Sequence, residues 1–346
     1  MTLDERKKKV LQAIIRDYIN TAEPVGSRTI AKKYELGVSP ATIRNEMADL
    51  EELGYIEQPH TSAGRVPSDK GYRYYVDCLM DKKTLSEHEE GIILSGYKAK
   101  VKDIGTVLRQ TNSILSGITN YTSMVMGPQF TKSNLRHVQL VPFDSNKALV
   151  LVVTDCGLVQ NKILDLPQSV NEVDLQKITQ VMNAKLQGIS LDQIKLTLIK
   201  EIYYELSNHK HIFEAAMEMV QETLYLNQEE KVYLAGTLNI FNQPEFRDLS
   251  RVRTLLSLLE QDKVLKEILN ENNNAETGIS VTIGSENRVD GLRDCSTITA
   301  TYQIDGRTVG SVGIIGPTRM DYEKAVCIIE FMTTHLSKIM KDFYGN

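Results

Sequence analysis

The chain of 346 residues is short of several things, and each shortage removes a class of function. Its four cysteines, Cys78, Cys156, Cys295 and Cys327, are scattered and form no Cys-x-x-Cys pair. That pattern offers neither a disulfide framework nor structural zinc spacing, and it fits thiols kept reduced in a cytoplasm. Histidine gives no better ligand set, because His209 and His211 would point in different directions from a helix. No metal is expected. No apolar run approaches the length of a membrane span, and the opening MTLDERKKKV lacks the apolar core of a secretory signal, so a cytoplasmic protein without a membrane is expected. Neither Cys156 nor Cys327 sits in a reactive motif, and no convergent set of titratable residues marks a catalytic centre, so neither an enzyme nor a cofactor is expected. The run GRTVGSVGIIGP lacks the Lys-Ser/Thr ending of a phosphate loop, and Gly310, Gly313 and Gly316 read instead as sites of bulges or close backbone packing. Positive charge is not in excess either, with 40 Lys and Arg against 45 Asp and Glu.

What is present starts with three short helices. Val10, Leu11, Ile14, Ile15, Tyr18 and Ile19 trace one apolar stripe, which predicts a helix over Leu3 to Asn20. TAEPVG breaks it, and Ser27 opens a second helix through RTIAKKYE that Leu36-Gly37 ends. Ser39 then suits an N-cap and Pro40 the first helical position, where a missing N–H costs little. Ile43, Met47 and Leu50 place an apolar stripe toward a core and turn Ala41, Arg44, Asn45 and Ala48 outward. The tight turn between the second and third helices is that of a helix-turn-helix.

A groove-reading helix needs such a face. Small residues let the backbone approach base edges, and Arg and Asn make bidentate contacts to guanine or adenine. Ser39, Ala41, Thr42, Arg44 and Asn45 are therefore the candidate DNA contacts, against the commoner reading of a solvated helix face. After Leu53-Gly54, YIEQPHTSAGRVPS reads as strand, loop and return strand, a wing, with the loop tip at Thr61 to Gly64. Arg65 beside the tip suits a phosphate or a narrow minor groove, whereas His60 reads as a residue packing or hydrogen-bonding at the loop base. Lys32, Lys33, Arg28, Lys70 and Arg73 are available for phosphates, although each alone is an ordinary surface charge. Residues 1–75 hold 12 basic against 11 acidic residues, and Glu46, Asp49, Glu51 and Glu52 crowd the C-terminal half of the third helix. A basic face would be the usual footprint, but the groove meets mainly the N-terminal half of this helix.

Beyond the wing, DKGYRYYVDCLM predicts a fourth helix packing Tyr72, Val76 and Leu79, with the tyrosines read as core rather than as base-stacking platforms. A charged connector, Asp81 to Glu90, follows. YTSMVMGP, LRHVQLVPF, KALVLVVTD and GLVQNKILDLP read as an antiparallel meander with turns at Asp144-Ser145-Asn146 and Asp155-Cys156-Gly157. A helix is expected from Asn171 to Gln187. Ile212, Phe213, Ala216, Met219, Val220 and Leu224 give a helix with a continuous apolar face, buried in its own domain or against a partner. Strands return at GISVTIGSE, STITATYQIDG and RTVGSVGIIGP before a closing helix from Tyr322 to Tyr344, and Arg319 and Asp321 suit a local ion pair or a helix cap. The pattern is α+β: one sheet interrupted by an insertion.

SPATIRNEMADLEELGYIEQPHTSAGRVPSDKGYRYYVD, from Ser39, and VGIIGPTRMDY, from Val312, closely resemble the HrcA family of bacterial heat-inducible transcription repressors, and the resemblance spans nearly the whole chain. It implies a homodimer on an inverted-repeat operator, the CIRCE element, upstream of chaperone genes, with activity promoted by the chaperonin GroEL. It also implies a winged helix-turn-helix over 1–80, a connector helix over 81–103, a GAF-like α+β domain in two segments, 104–189 and 249–346, and an inserted dimerisation domain over 190–248. Two other readings remain open: a regulator switched by a metabolite in the GAF-like sheet, and an enzyme carrying an accessory winged helix, for which no catalytic set is seen.

Overall fold

A computed structural model describes residues 3–344 apart from 62, 82, 98–103, 129–133, 145, 156–158, 168–169, 191–192, 207–209, 226–230, 271–277 and 305. The expected turns at Ser145 and at Cys156-Gly157, and His209, lie outside the described residues.

The first elements follow local sequence rules closely. Helix α1 (Glu5–Thr21) starts where the Asp4 carboxylate accepts the Lys7 amide, and it buries Val10, Leu11, Ile14 and Ile15. Helix α2 (Ser27–Lys33) is followed by Gly37 at φ 69°, a left-handed turn that glycine adopts without strain. Helix α3 (Pro40–Glu52) is capped by Ser39, whose hydroxyl accepts the Thr42 amide at 3.1 Å, and it buries Ile43, Met47 and Leu50. The wing strands β1 (Ile56–Glu57) and β2 (Val66–Pro67) pair antiparallel, and Val25 bridges Arg65 to extend the ribbon. Helix α4 (Asp69–Tyr74) runs on as a π-helical turn, Tyr75–Leu79. The wider turn shifts the buried face to Tyr72 and Tyr75, so Val76 and Leu79, expected in the packing stripe, are only half-buried. The connector carries helix α5 (Glu87–Gly96), begun by a Ser86–Glu89 capping box. Helix α6 (Ile104–Thr119) and strand β3 (Thr122–Met126) follow.

The chain divides into two compact units. The second comprises residues 128–231 with the short pieces 303–309 and 337–346, and the first holds the rest. In the second unit, β4 (Leu135–Asp144), β5 (Lys147–Thr154) and β6 (Val159–Asp165) form an antiparallel three-stranded sheet. Helices α7 (Glu172–Leu186), α8 (Leu196–Glu205) and α9 (Lys210–Tyr225) contribute to one core with it, in which Val138, Leu140, Val150 and Val152 meet Ile178, Met182, Phe213 and Val220. Ile212, Phe213, Ala216, Met219 and Val220 of α9 are thus covered within their own unit, and the side chain of Leu224 lies outside those described. The Asn183 amide accepts the Val138 N–H at 2.8 Å and donates to its carbonyl at 2.6 Å, and Thr179 accepts the Leu140 amide. These side chains of α7 close the open edge of β4, an edge that would otherwise template aggregation.

The chain then re-enters the first unit through β7 (Val232–Ala235), followed by α10 (Leu249–Leu259), α11 (Asp262–Asn270), β8 (Ile279–Ile283), β9 (Cys295–Ile304), β10 (Arg307–Pro317) and α12 (Tyr322–Tyr344). Its sheet has the order β7-β3-β10-β9-β8. Met124, Met126, Cys295 and Ile315 pack with Leu255, Leu259, Leu265 and Leu269 of α10 and α11, while Ser123, pointing the other way, donates to the Asn112 carbonyl of α6. Of the four runs read as one meander, only the first joins this sheet; the other three pair with one another. The difference is visible in burial. All five residues of β3 are buried, as a central strand covered on both faces requires, whereas β5 alternates between buried and half-buried. The glycines of β10 serve close packing: a Cβ on Gly310 would lie 2.3 Å from the Tyr302 hydroxyl and one on Gly316 2.8 Å from the Tyr121 ring.

Candidate nucleic-acid interface

The outward face of α3 is assembled as its spacing predicts. Ala41, Arg44, Asn45 and Ala48 are exposed and, among the described residues, neither Arg44 nor Asn45 has a side-chain hydrogen bond or ion pair. Ser39 and Thr42 are engaged with each other: the hydroxyls stand 3.0 Å apart and the Ser39 oxygen caps the helix.

The acidic half of the same helix is neutralised from within. Lys7 of α1 lies 3.0 Å from both the Glu46 and the Asp49 carboxylates and 3.1 Å from Asp4. Hydrogen bonding, to Glu46 first, raises its ammonium above the ordinary value. Arg6 adds a second cation to Glu46 at 3.4 Å, and Glu51 is paired with Arg65 at 2.7 Å. Exposed Glu52 ends the helix.

Arg65, expected to meet phosphate, therefore spends its guanidinium on α3, and its backbone exchanges hydrogen bonds with Val25 at 2.8 and 2.9 Å. A Cβ on the preceding Gly64 would lie 2.6 Å from Val25 backbone atoms, so only glycine permits this approach. Lys33 is paired with buried Asp17 at 2.6 Å, whereas Lys32 and Arg28 are exposed and unengaged among the described residues. Lys70 donates to the Leu53 carbonyl and stands over the Tyr55 ring. Arg73 pairs with Glu286 and donates to the Val281 carbonyl at 2.6 Å. His60 has an exposed side chain, and its carbonyl accepts the Ala63 amide. Gln58, which the sequence did not single out, shapes the wing tip by donating to the Thr61 and Ala63 carbonyls.

The winged helix is anchored to the sheet of its own unit by charged groups. Glu323 on α12, with a side chain 2% exposed, accepts from Arg16 at 2.9 Å and from the Tyr75 hydroxyl at 2.6 Å, and pairs with Lys83 at 2.7 Å. Burial pushes its carboxyl up, but Lys83, Tyr75 and Arg16 together outweigh burial and bring it to about 2. Arg319 pairs with Glu245 at 2.5 Å, not with Asp321, and donates to the Ile19 carbonyl at 2.6 Å. Asp321 takes the other expected role, accepting the Lys324 amide at the start of α12. Asp69 accepts the Ser285 amide at 2.8 Å.

Two family models match this arrangement. The one described as "Winged helix-turn-helix transcription repressor, HrcA DNA-binding" covers residues 2–76, and the one described as "HrcA protein C terminal domain" covers 105–326. The chain belongs to the HrcA family. A heat-inducible transcription repressor HrcA of Pelotomaculum thermopropionicum is 53% identical over 99% of this chain and 98% of its own. One from Desulforamulus reducens is 53% identical over 98% of each. A crystal structure described as a hypothetical protein shares the fold with a TM-score of 0.64, at 24% identity over 99% of this chain and 100% of that one. HrcA membership makes this chain a heat-inducible transcription repressor with a winged-helix DNA-binding domain, and not an enzyme.

Among the described residues no helix is long and apolar enough to cross a membrane, and no group of three or more His, Cys, Asp or Glu is placed to hold a metal ion. The Cys295 thiol is pushed up to about 12 by burial, which suits a core residue rather than a nucleophile. A cavity of about 10 Å³ lined by Tyr121, Ile240, Phe246 and Ile315 in the sheet domain has room for one water at most.

Proposed function

We propose that the chain is a dimeric repressor of heat-shock chaperone operons that binds the inverted-repeat CIRCE operator, and that the chaperonin GroEL promotes its activity. The observation that carries the DNA reading is the sorting of charge on α3: Glu46, Asp49 and Glu51 are tied to Lys7, Arg6 and Arg65, while Arg44 and Asn45 stay free beside two alanines. Arg44 and Asn45 read bases, Ala41 and Thr42 line the approach, and Ser39 sets the helix start. Lys32 and Arg28 meet phosphate, whereas Lys33 and Arg65 act mainly by holding the reader's shape through Asp17 and Glu51.

The sheet part of the first unit serves as a GAF-like domain, and the second unit as the inserted dimerisation domain. Its main segment, 128–231, begins well before the 190–248 expected from sequence and ends earlier, with 232–248 belonging to the first unit. One face of its three-stranded sheet supports the dimer. Register aligns Val141, Leu149 and Ile163 in one row and His137, Val153 and Val159 in another, all opposite the residues packed in the core. Val159 and Ile163 on this face are 55% and 49% exposed, and Phe143 near its end is 60% exposed, an apolar grouping of the kind that marks a protein–protein contact. A two-fold protein also matches an inverted repeat.

The test is a salt-controlled mobility-shift titration of the full chain on an inverted-repeat CIRCE duplex and on a scrambled duplex, with and without chaperonin. Preferential operator binding strengthened by chaperonin is the expected result. Equal weak binding to both duplexes removes the operator, and operator binding indifferent to chaperonin removes the partner.

A further inference from the structure

Glu323 lies outside the DNA-reading helix, yet two segments of the reader and the segment that follows it converge on it. Arg16 comes from α1, Tyr75 from the π-helical turn and Lys83 from the segment beyond. Arg319, four residues earlier, holds the C-terminal end of α1 through the Ile19 carbonyl, and α4 is held by the Arg73–Glu286 and Asp69–Ser285 contacts. The reader is thus held at α1, at α4 and at the π-helical turn, through Arg16, Asp69, Arg73 and Tyr75.

Replacing a buried ion cluster by apolar residues is often neutral or stabilising, so such a cluster is a poor source of net stability. Its strength is selectivity. A carboxylate that needs donors from three segments at once is satisfied in one arrangement, and any slip leaves a buried charge uncompensated. Among the described residues, α3 itself makes no hydrogen bond or ion pair to the sheet, so the anchoring leaves Arg44 and Asn45 free.

We infer that Glu323 is a positioning residue for operator recognition: with Arg16, Tyr75 and Lys83 it fixes the angle at which the winged helix is presented, so that two copies of the reader meet both halves of an inverted repeat together. The inference rests on the proposed reading of the chain as an inverted-repeat binder. Gain from simultaneous engagement depends on geometry and is lost when the linked modules cannot reach both sites, whereas a single half-site is indifferent to that geometry.

The experiment compares the full chain with Glu323→Gln, with Glu323→Asp, and with the pair Arg16→Gln and Lys83→Ala, whose side chains are 36% and 52% exposed and so tolerate change if Glu323→Gln does not fold. Each protein is titrated on a duplex with the whole repeat, one with a single half-site, and one whose spacer is lengthened by about half a helical turn, roughly 5 base pairs. Wild-type protein that binds whole and half repeats alike removes the inverted-repeat reading itself. Given wild-type preference for the whole repeat, Glu323→Gln and the Arg16–Lys83 pair are expected to lose about tenfold on it. They should keep their half-site affinity and become tolerant of the altered spacer, with Glu323→Asp partly restored. Unchanged whole-repeat affinity and spacing preference in folded variants overturns the inference. So does an equal loss on both duplexes, which marks a structural role, and so does tighter binding, which marks a latch that holds the reader away from DNA.

Discussion

Lys7 decides how the acidic half of α3 presents itself to a polyanion. Without its ammonium between Asp4, Glu46 and Asp49, two carboxylates would stand on the helix that approaches the groove. Nothing in residues 39–52 reveals this, because the neutralising cation comes from the first turn of α1. The proposed base readers, Arg44 and Asn45, carry the opposite signature, exposed and unengaged among the described residues, so removing either should change recognition without changing the fold. Arg44→Ala and Asn45→Ala are each expected to weaken operator binding by about 1–3 kcal/mol while scrambled-duplex binding and thermal unfolding stay at wild-type values. Normal operator affinity in both variants would return these side chains to the solvated surface.

At the scale of elements, what was legible in the sequence was whatever is encoded within a few residues. The start of α3 is the clearest case, since Ser39, Pro40 and Thr42 form the whole cap. Ser39→Ala should cost about 1 kcal/mol of stability in denaturant unfolding and Ser39→Gly only a few tenths, because glycine leaves the cap backbone solvated. A Ser39→Ala protein as stable as wild type would mean that the cap does not limit stability. The closing helix was read with its bounds intact for the same local reason. The division of the β-rich runs between two sheets was not legible, because pairing is decided between distant strands. Nor was the fate of the basic residues: Arg65 finds Glu51 14 residues away, and Arg73 finds Glu286 213 residues away. The outward face of the three-stranded sheet likewise appears only once register is known. Ile163→Lys on that face should convert a dimer to a monomer in light scattering, since a charge on each copy would meet its symmetry mate. The side chain is already half exposed, so folding should survive. A dimer unaffected by this change would move the interface elsewhere.

For the whole molecule, acid reads the anchoring of the reader. The carboxyls of Glu323 and of Glu89, the latter through Lys324 and Ser86, are both held at about 2, against 4.5 for an ordinary glutamate. Because the folded values lie below the unfolded ones, their stabilisation is complete above about pH 4.5 and is lost as pH falls toward 2. Thermal unfolding followed between pH 6 and pH 2.5 should therefore show a falling acid limb that Glu323→Gln flattens. An acid limb of unchanged slope in that variant would assign the loss to other carboxylates.

Strands β3 and β7 pair residue for residue, Met126 opposite Val232, yet residues 127–231 separate them along the chain. Closing so long a flexible loop is entropically costly and slow, whereas a pre-folded second unit would bring the two strands together as a short hairpin does. Order of folding follows: the second unit first, then the central sheet. A refolding time course should show protection of amides in β4 and β5 before those of β3, and simultaneous protection would refute that order. During the interval β3 lacks its β7 partner, the kind of unpaired strand edge that aggregates at micromolar concentration. A nascent chain in that interval competes between closing this edge and associating with its neighbours, so the yield of refolded repressor should fall as protein concentration rises.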